Sequence, residues 1–110
     1  MEIEINTLSS LRVFRLSGDV DLQVAPQVRK SLLDGLKQNT PLLIDLSAVT
    51  YMDSSGVACL VEAYQVAKQQ QGDFGLVAVA APVMSVLRLA RLDRVFPIYA
   101  SVEERLARVG

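Results

Sequence analysis

The sequence predicts an α/β fold: a single domain with a mixed sheet of four or five strands and helices packed on it. The chain has 110 residues, of which 51% are hydrophobic, enough for one compact core. Segments with strand periodicity alternate with segments of helical periodicity, which is typical of a largely parallel sheet. The predicted order over residues 1–110 is β-β-α-β-α-β-α-β-α.

The first elements follow from periodicity. Residues 2–6 alternate polar and apolar side chains, which predicts a strand with one wet face at a sheet edge. Residues 11–16 form a second strand, and the short "TLSS" before them favours an antiparallel hairpin. Gly18 is expected to break this strand. Residues 22–38 have helical spacing that includes Leu22, with Asp21 as the candidate N-cap.

The remaining elements alternate. "PLLIDLS" predicts a buried strand, in which Asp45 is expected to end the strand in a polar network. The apolar pattern after Gly56 predicts a helix that stops near Gln71-Gly72. "FGLVAVA" is a further buried strand, and Pro82 opens a third helix. "RVFPIYA" carries a short strand, and "SVEERLARV" is a closing helix with a Ser-x-x-Glu capping box.

Charge and composition exclude several functions. Eleven basic and twelve acidic residues are spread along the chain, so neither nucleic acid nor an anionic membrane is expected as a partner. The run "GLVAVAAPVM" is shorter than the about 20 residues that cross a bilayer, and no leader pattern is visible. The single cysteine and the lack of histidine exclude an internal disulfide, the usual zinc sites and imidazole catalysis. We expect a soluble, cytoplasmic protein without metal or catalytic residues.

The stretch Asp53-Ser54-Ser55-Gly56 stands between a buried strand and an apolar helix. One of these residues suffices to cap the helix, yet two hydroxyls stand together, and Gly56 removes a side chain that would shield them. Ends of parallel strands that lead into helices are also where open α/β sheets place their sites. Ser54 has no base: Met52 replaces the first glycine of Gly-x-Ser-x-Gly, and no lysine follows three residues later. The pattern indicates a hydroxyl that another enzyme modifies.

"IDLSAVTYMDSSGVACL", residues 44–60, resembles the signature of the STAS family, in particular the bacterial anti-sigma-factor antagonists. "LSGDVD" and "LARLDRVFPIYASVEERL" also resemble family segments, so the resemblance covers almost the whole chain. One departure is Arg91, which stands where many members have glycine. It leaves the motif unchanged but alters the surface expected for the third helix.

The resemblance implies a phosphorylation-regulated protein-binding module that is not itself an enzyme. Such antagonists sequester an anti-sigma factor that is also a serine kinase, which releases a sigma factor; phosphorylation switches them off and a serine phosphatase restores them. ATP and Mg²⁺ would belong to the kinase, so this chain would carry no cofactor. The sequence does not fix the oligomeric state, and a monomer is the default expectation for the free form. The implied phosphate acceptor is Ser54, with Asp21 and Asp53 beside it. Ser55 and Gly56 are expected to bind the partner as well, and the small apolar residues Val57, Ala58 and Cys59 beside the turn are a candidate docking surface.

Several alternatives stay open at this point. The same fold also serves as the cytoplasmic accessory subunit of lipid-transporting ABC systems, which is the main alternative function. Asp21 could cap the first helix, contact the partner, or both. Cys59 is expected to be a small hydrophobic residue rather than a reactive thiol. The arginines at positions 88, 91 and 94 recur every three residues and are expected to form a solvated stripe on one helix face.

Overall fold

The computed structural model describes residues 1–8, 11–37 and 40–107. Ten elements follow one another along this part of the chain, and their order confirms the predicted one. The strands are β1 (Glu2–Leu8), β2 (Leu11–Val20), β3 (Leu42–Met52), β4 (Phe74–Val77) and β5 (Ile98–Tyr99); the helices are α1 (Ala25–Leu36), α2 (Ser54–Gln69), α3 (Ala81–Leu89), a 3-10 helix (Leu92–Arg94) and α4 (Val102–Ala107).

The strands form one mixed sheet in the order β1-β2-β3-β4-β5. The β1 strand lies at the edge and pairs with β2 in the antiparallel direction, as predicted, and all other neighbours are parallel. The predicted ends of the first and last helices, Gln38 and Val109, lie outside the described residues, as do Ser9 and Ser10 of the hairpin connection.

The two faces of the sheet are covered unequally. Helices α1, α2 and α3 pack on one face and share one large apolar core with it, in which Phe14, Ile44, Leu60 and Leu76 are almost completely buried. The other face has a small cluster built on Leu11, Val13, Leu43 and Val77, against which Val102 and Leu106 of α4 pack. The α/β architecture predicted from the sequence is therefore confirmed, with three helices on one side and one on the other.

The β2 and β3 strands are longer than the sequence predicted. Gly18 does not end β2; it has φ +83° within the strand, next to an irregularity in the pairing with β3. Two such irregularities occur, between Arg15 and Ser17 and between Gly18 and Asp19. Asp45 likewise does not end β3: its carboxylate accepts the backbone N–H of Ser47 at 2.9 Å, which supplies a partner where the ladder is interrupted.

The start of α1 differs from the prediction. The helix begins at Ala25 with Val24 at the N-cap and no side-chain cap, so Asp21 is not its N-cap. Instead, the Asp21 carboxylate accepts the backbone N–H groups of Gln23 at 3.0 Å and Val24 at 3.4 Å, and closes a turn ahead of the helix. Leu22 lies in this turn, 73% exposed, rather than on the apolar face of the helix.

The ends of α2 and α3 both use a left-handed residue that is not glycine. At the end of α2, Gln71 has φ 57°, one position before the predicted glycine stop at Gly72. At the end of α3, Arg91 has φ 59° and its backbone N–H bonds to the carbonyl of Arg88. The chain then enters the 3-10 helix, so Arg94 does not continue the face of α3, contrary to the predicted stripe.

Candidate functional site

The parallel pairing of β2 with β3 brings two acidic residues to neighbouring strand ends. Val20 pairs with Met52, and the backbone N–H of Asp53 donates to the carbonyl of Val20 at 3.3 Å. Asp21 and Asp53 therefore leave the sheet at the same edge. Asp19 lies one residue before Val20 and accepts the hydroxyl of Thr50 at 2.7 Å. The fold thus places the predicted acidic residues together on the side where α1 and α2 begin.

Asp53 is the residue of this stretch that caps α2, as its N-cap. Its backbone is extended, and its carboxylate oxygen Oδ1 accepts the backbone N–H groups of Ser55 at 2.9 Å and Gly56 at 3.3 Å. These are N–H groups of the first turn, which have no partner within the helix. One side chain therefore satisfies two of the free donors, and it does so without either serine hydroxyl.

The two serines of the turn differ sharply in what their hydroxyls do. The Ser55 hydroxyl donates to Oδ1 of Asp53 at 2.5 Å and is partly buried, so it serves the structure. Ser54, the first residue of α2, is exposed, and its hydroxyl makes no hydrogen bond within the described ranges 1–8, 11–37 and 40–107. The sequence predicted two presented hydroxyls, but only the one at Ser54 is presented.

Gly56 has a packing role rather than the predicted role of leaving the hydroxyls unshielded. The glycine is buried, and a Cβ at this position would lie 2.7 Å from Cγ of Met52 and 2.9 Å from Cγ1 of Val20. The same Cβ would lie 3.1 Å from the backbone carbonyl oxygen of Val20. The absence of a side chain therefore lets the first turn of α2 pack directly against the ends of β2 and β3.

The hydrogen bonds at Asp53 stabilise its charged form. The pKa of Asp53 is lowered, first by the hydrogen bond from the Ser55 hydroxyl and then by the backbone N–H groups of Gly56 and Ser55, while partial burial opposes the shift. Asp53 is therefore a carboxylate at neutral pH. A fixed negative charge stands next to the free hydroxyl of Ser54.

The residues after the turn divide between core and surface. Val57 is buried with 8% exposure and Cys59 with 6%, so within the segment 57–59 only Ala58 is an exposed residue. The Cys59 thiol donates to the carbonyl of Ala25 at 3.4 Å, and burial raises the pKa of this thiol. The predicted interpretation of Cys59 as a small hydrophobic residue agrees with this environment.

A shallow groove of about 310 Å³ runs between α1 and α2, beside the serine turn. An ion pair closes one side: Nε of Arg29 donates to Oε1 of Glu62 at 2.8 Å, and Nη2 lies 2.7 Å from Oε2. This pairing raises the pKa of Arg29 and lowers that of Glu62. The groove is lined by Leu22, Ala25, Pro26, Arg29, Ser55, Ala58, Cys59 and Glu62.

Sequence reasoning missed Leu22 and the Arg29–Glu62 pair. Leu22 fits the helical period of Ala25 and Val28, which led to its assignment to the buried face. The preceding Asp21 could have indicated that Leu22 lies in a turn, because the side chain of aspartate often closes a turn before a helix begins. Arg29 and Glu62 lie 33 positions apart in the sequence, on two different helices, so no local sequence pattern indicates their pairing.

The described residues contain no group of three or more histidine, cysteine or acidic side chains arranged to hold a metal ion. Among the helices within that same part of the chain, none has the length and apolar content to cross a membrane. The chemistry at this edge of the sheet is thus an exposed hydroxyl, a capped carboxylate and a groove with an exposed leucine.

Together these features define a small α/β domain that presents one serine hydroxyl at a capped helix start. The STAS domain family model matches residues 2–105, and the chain belongs to this family. The anti-sigma F factor antagonist of Paenibacillus polymyxa is 27% identical over 101 residues, covering 90% of this chain and 86% of that protein.

Solved structures are similar over the same extent. The crystal structure of an anti-sigma factor antagonist from Mycobacterium paratuberculosis is 27% identical with a TM-score of 0.87, covering 98% of this chain and 92% of that one. The unphosphorylated form of the anti-sigma factor antagonist SpoIIAA has a TM-score of 0.82 at 21% identity, covering 98% and 96%, and supports the fold. The predicted family and fold are confirmed by these matches.

Proposed function

We propose that this chain is an anti-sigma factor antagonist that phosphorylation of Ser54 switches off. In the unmodified form it binds an anti-sigma factor that is also a serine kinase, and so releases a sigma factor. A serine phosphatase restores the unmodified form. The similarity of the chain to known anti-sigma factor antagonists supports the proposed antagonist function.

The observation that carries the phosphorylation site is the difference between Ser54 and Ser55. A kinase must reach a hydroxyl that is exposed and not already engaged, and Ser54 meets both conditions. Ser55 meets neither, because its hydroxyl is held by Asp53. Ser54 therefore suits the role of phosphate acceptor, and Ser55 suits a structural role.

A phosphate on Ser54 would act on the partner rather than on the fold. Asp53 already accepts the N–H groups of Ser55 and Gly56, so a phosphate need not break any of these bonds. The group adds about −1.5 to −2 charges beside the carboxylate of Asp53. Against one partner carboxylate about 6 Å away, at an effective dielectric constant of about 20, the repulsion is at most about 5 kcal/mol before salt screening. A tenfold loss of affinity needs about 1.4 kcal/mol.

The partner-binding surface that we propose comprises the exposed part of the serine turn and the groove beside it. Asp21, Asp53, Ser55 and Ala58 lie at this edge, while Gly56 and Val57 support it from the core. Leu22 adds an apolar side chain that is 73% exposed. Leu22 also lines the groove, so it extends the apolar part of the proposed surface.

The first test is the intact mass of the protein isolated from its own cells, with and without phosphatase treatment. Wild type and the matched control Ser55→Ala should carry a removable phosphate, and Ser54→Ala should carry none. The absence of phosphate during growth, starvation and stress alike would overturn the proposed switch. A phosphate that persists in Ser54→Ala would overturn the assignment of the site.

The second test concerns the partner. Ser54→Ala should recover an anti-sigma factor kinase from the cell extract, and Ser54→Glu should recover much less of it, because the glutamate supplies part of the phosphate charge. Recovery of a transporter ATPase by both variants would instead support the accessory-subunit function of the fold and contradict the proposal.

A further inference from the structure

Three arginines surround a cavity of about 290 Å³ at the end of α3. Its lining comprises Arg88 from the last turn of α3, Arg91 from the turn that follows, and Asp93 and Arg94 from the 3-10 helix. Three positive groups face one negative group. We call Arg88, Arg91 and Arg94 the arginine cluster.

Two other described arginines have carboxylate partners that the arginine cluster lacks, while Arg12 and Arg15 likewise make no ion pair within the described residues. Arg29 pairs with Glu62, and Arg105 pairs with Asp73. In contrast, no ion pair or hydrogen bond links a guanidinium of the cluster to any side chain within the described ranges, Asp93 included. Three guanidinium groups are therefore left with their donors in solvent around a common space.

The backbone at Arg91 creates this arrangement. Its left-handed conformation, φ 59° and ψ 22°, reverses the chain, so that the last turn of α3 and the 3-10 helix face the same cavity. A residue with a Cβ is disfavoured here by roughly 1–2 kcal/mol. The same conformation ends α2 at Gln71, so at Arg91 it marks the end of a helix and sets the chain direction that brings the three arginines together.

The helix end does not account for the whole cluster. A cation in the last turn of a helix is favoured by the helix dipole, which explains Arg88. That effect fades within one turn, whereas Arg94 lies five residues after the last residue of α3. The helix end therefore does not account for the charge of Arg94, which lines the cavity from the 3-10 helix.

We propose that the arginine cluster binds the phosphate group of a small phosphorylated molecule. Guanidinium groups donate two parallel hydrogen bonds to phosphate oxygens, and this planar geometry makes arginine suited to phosphate recognition. The cavity volume of about 290 Å³ lies just below the range for small-molecule sites, about 300–1,000 Å³, so only a small ligand would fit. A single phosphate ester or a pyrophosphate matches the charge and the space.

This site lies at the opposite edge of the sheet from Ser54. The α3 helix starts beyond the carboxyl end of β4 and runs back for nine residues, about 13 Å, before reaching the arginine cluster. A ligand there would leave the serine turn exposed. Occupancy of the site is thus compatible with both the unmodified and the phosphorylated form of the domain.

The test is a backbone-amide NMR titration of the full chain with sodium phosphate and with sodium pyrophosphate, at ionic strength held constant with sodium chloride. We expect saturable shifts confined to residues 88–94 and none at residues 53–58. Arg88→Gln combined with Arg94→Gln should weaken binding about tenfold or more, whereas the control Arg29→Gln should change it less than about twofold.

The Arg91→Gly variant separates a loss of pyrophosphate binding from a loss of folding. It removes one guanidinium but suits the left-handed backbone, so the domain should be at least as stable as wild type while it binds pyrophosphate more weakly. Shifts that rise linearly without saturation, or that persist in these variants, would overturn the proposal. Sedimentation with phosphatidylglycerol vesicles, in the absence of any pyrophosphate binding, would identify a membrane surface instead and would also overturn it.

Discussion

The turn that starts α2 and the turn that ends α3 lie at opposite edges of the sheet and use their residues differently. At the start of α2, Gly56 stands where a Cβ has no room, and Asp53 accepts the free N–H groups. At the end of α3, Arg91 stands in a left-handed conformation that favours glycine, beside two other arginines that pair with no side chain in the described part of the chain. Sequence and backbone agree at the first turn and disagree at the second.

The comparison separates residues needed for folding from residues free to act. Within the α2 turn, Asp53, Ser55 and Gly56 hold the structure, and Ser54 contributes only an exposed hydroxyl. In the α3 turn, the arginine cluster contributes charge without pairing. The changes below test this division, in order of decreasing expected effect.

Gly56→Ala should have the largest effect. The added Cβ would approach Met52 and Val20 to less than 3.0 Å, and overpacking of this kind costs about 1–3 kcal/mol. Helix propensity by itself favours alanine, so a loss of stability would identify crowding as the cause. Urea denaturation measures the change, with Gly72→Ala as the control because Gly72 is exposed and outside the left-handed region. Equal stability of Gly56→Ala and wild type would contradict the packing role of Gly56.

Asp53→Ala should lower the melting temperature by about 5 °C, because two N–H groups of α2 and the Ser55 hydroxyl lose their acceptor. Asp21→Ala is the matched control. It should lower the melting temperature less, since Asp21 closes a turn ahead of α1 and does not cap a helix. If Asp21→Ala lowered the melting temperature more than Asp53→Ala, the conclusion that Asp53 is the more important capping residue would be wrong.

The charge of Asp53 should make part of this stability depend on pH. Because the folded pKa lies below the unfolded one, the ionised group stabilises the domain above the ordinary value of about 3.9, and that contribution is lost as pH falls through the folded pKa. Asp53→Asn keeps an acceptor but removes the charge. The difference in melting temperature between wild type and Asp53→Asn should therefore shrink below pH about 4. If the difference in melting temperature stayed constant into strong acid, the charge of Asp53 would not be the source of this stability.

Arg91→Gly should stabilise the domain by about 1 kcal/mol, because glycine adopts the left-handed conformation without strain. Thermal unfolding measures the increase. Arg94→Gln is the control, since it removes a nearby guanidinium but leaves φ at position 91 unchanged. Stabilisation by Arg94→Gln alone would attribute the effect to charge repulsion rather than to the backbone.

Ser54→Ala should have the smallest effect on stability, below about 0.5 kcal/mol, since the hydroxyl is exposed and unpaired within the described residues. Ser55→Ala should be more destabilising, because it removes a hydrogen bond to a carboxylate. The same two variants can be tested as kinase substrates. Ser54→Ala should lose phosphate acceptance and keep its stability, whereas Ser55→Ala should keep phosphate acceptance and lose stability. A large loss of stability in Ser54→Ala would show that this hydroxyl has a structural partner.

The sequence was sufficient for the features that depend on local pattern. Alternating segments predicted the order of elements, the stretch at residues 53–56 predicted a capped helix start without identifying the capping residue, and the motif predicted the family. The grouping of Asp21 with Asp53 came from the family resemblance and not from the pattern; the parallel pairing of β2 with β3 is what brings the two residues to one edge.

Other features depend on contacts that the pattern does not encode. The exposure of Leu22 depends on where α1 begins, and a residue that fits the helical period can still lie before the first turn. The difference between Ser54 and Ser55 depends on which hydroxyl can reach Asp53. Left-handed backbone at Gln71 and Arg91 was not predicted because neither side chain favours it.

The irregular pairing of β2 with β3 sets how far the chain must run before it reaches Asp53. From the pair Phe14–Ile44 to the pair Val20–Met52, β2 advances six residues and β3 advances eight. The inward positions of β3 are consequently three apart at Leu46, Val49 and Met52. Loss of a single residue from this segment would shift the serine turn by one step against Asp21. Related sequences should therefore vary in length elsewhere and hold this segment at a fixed number of residues.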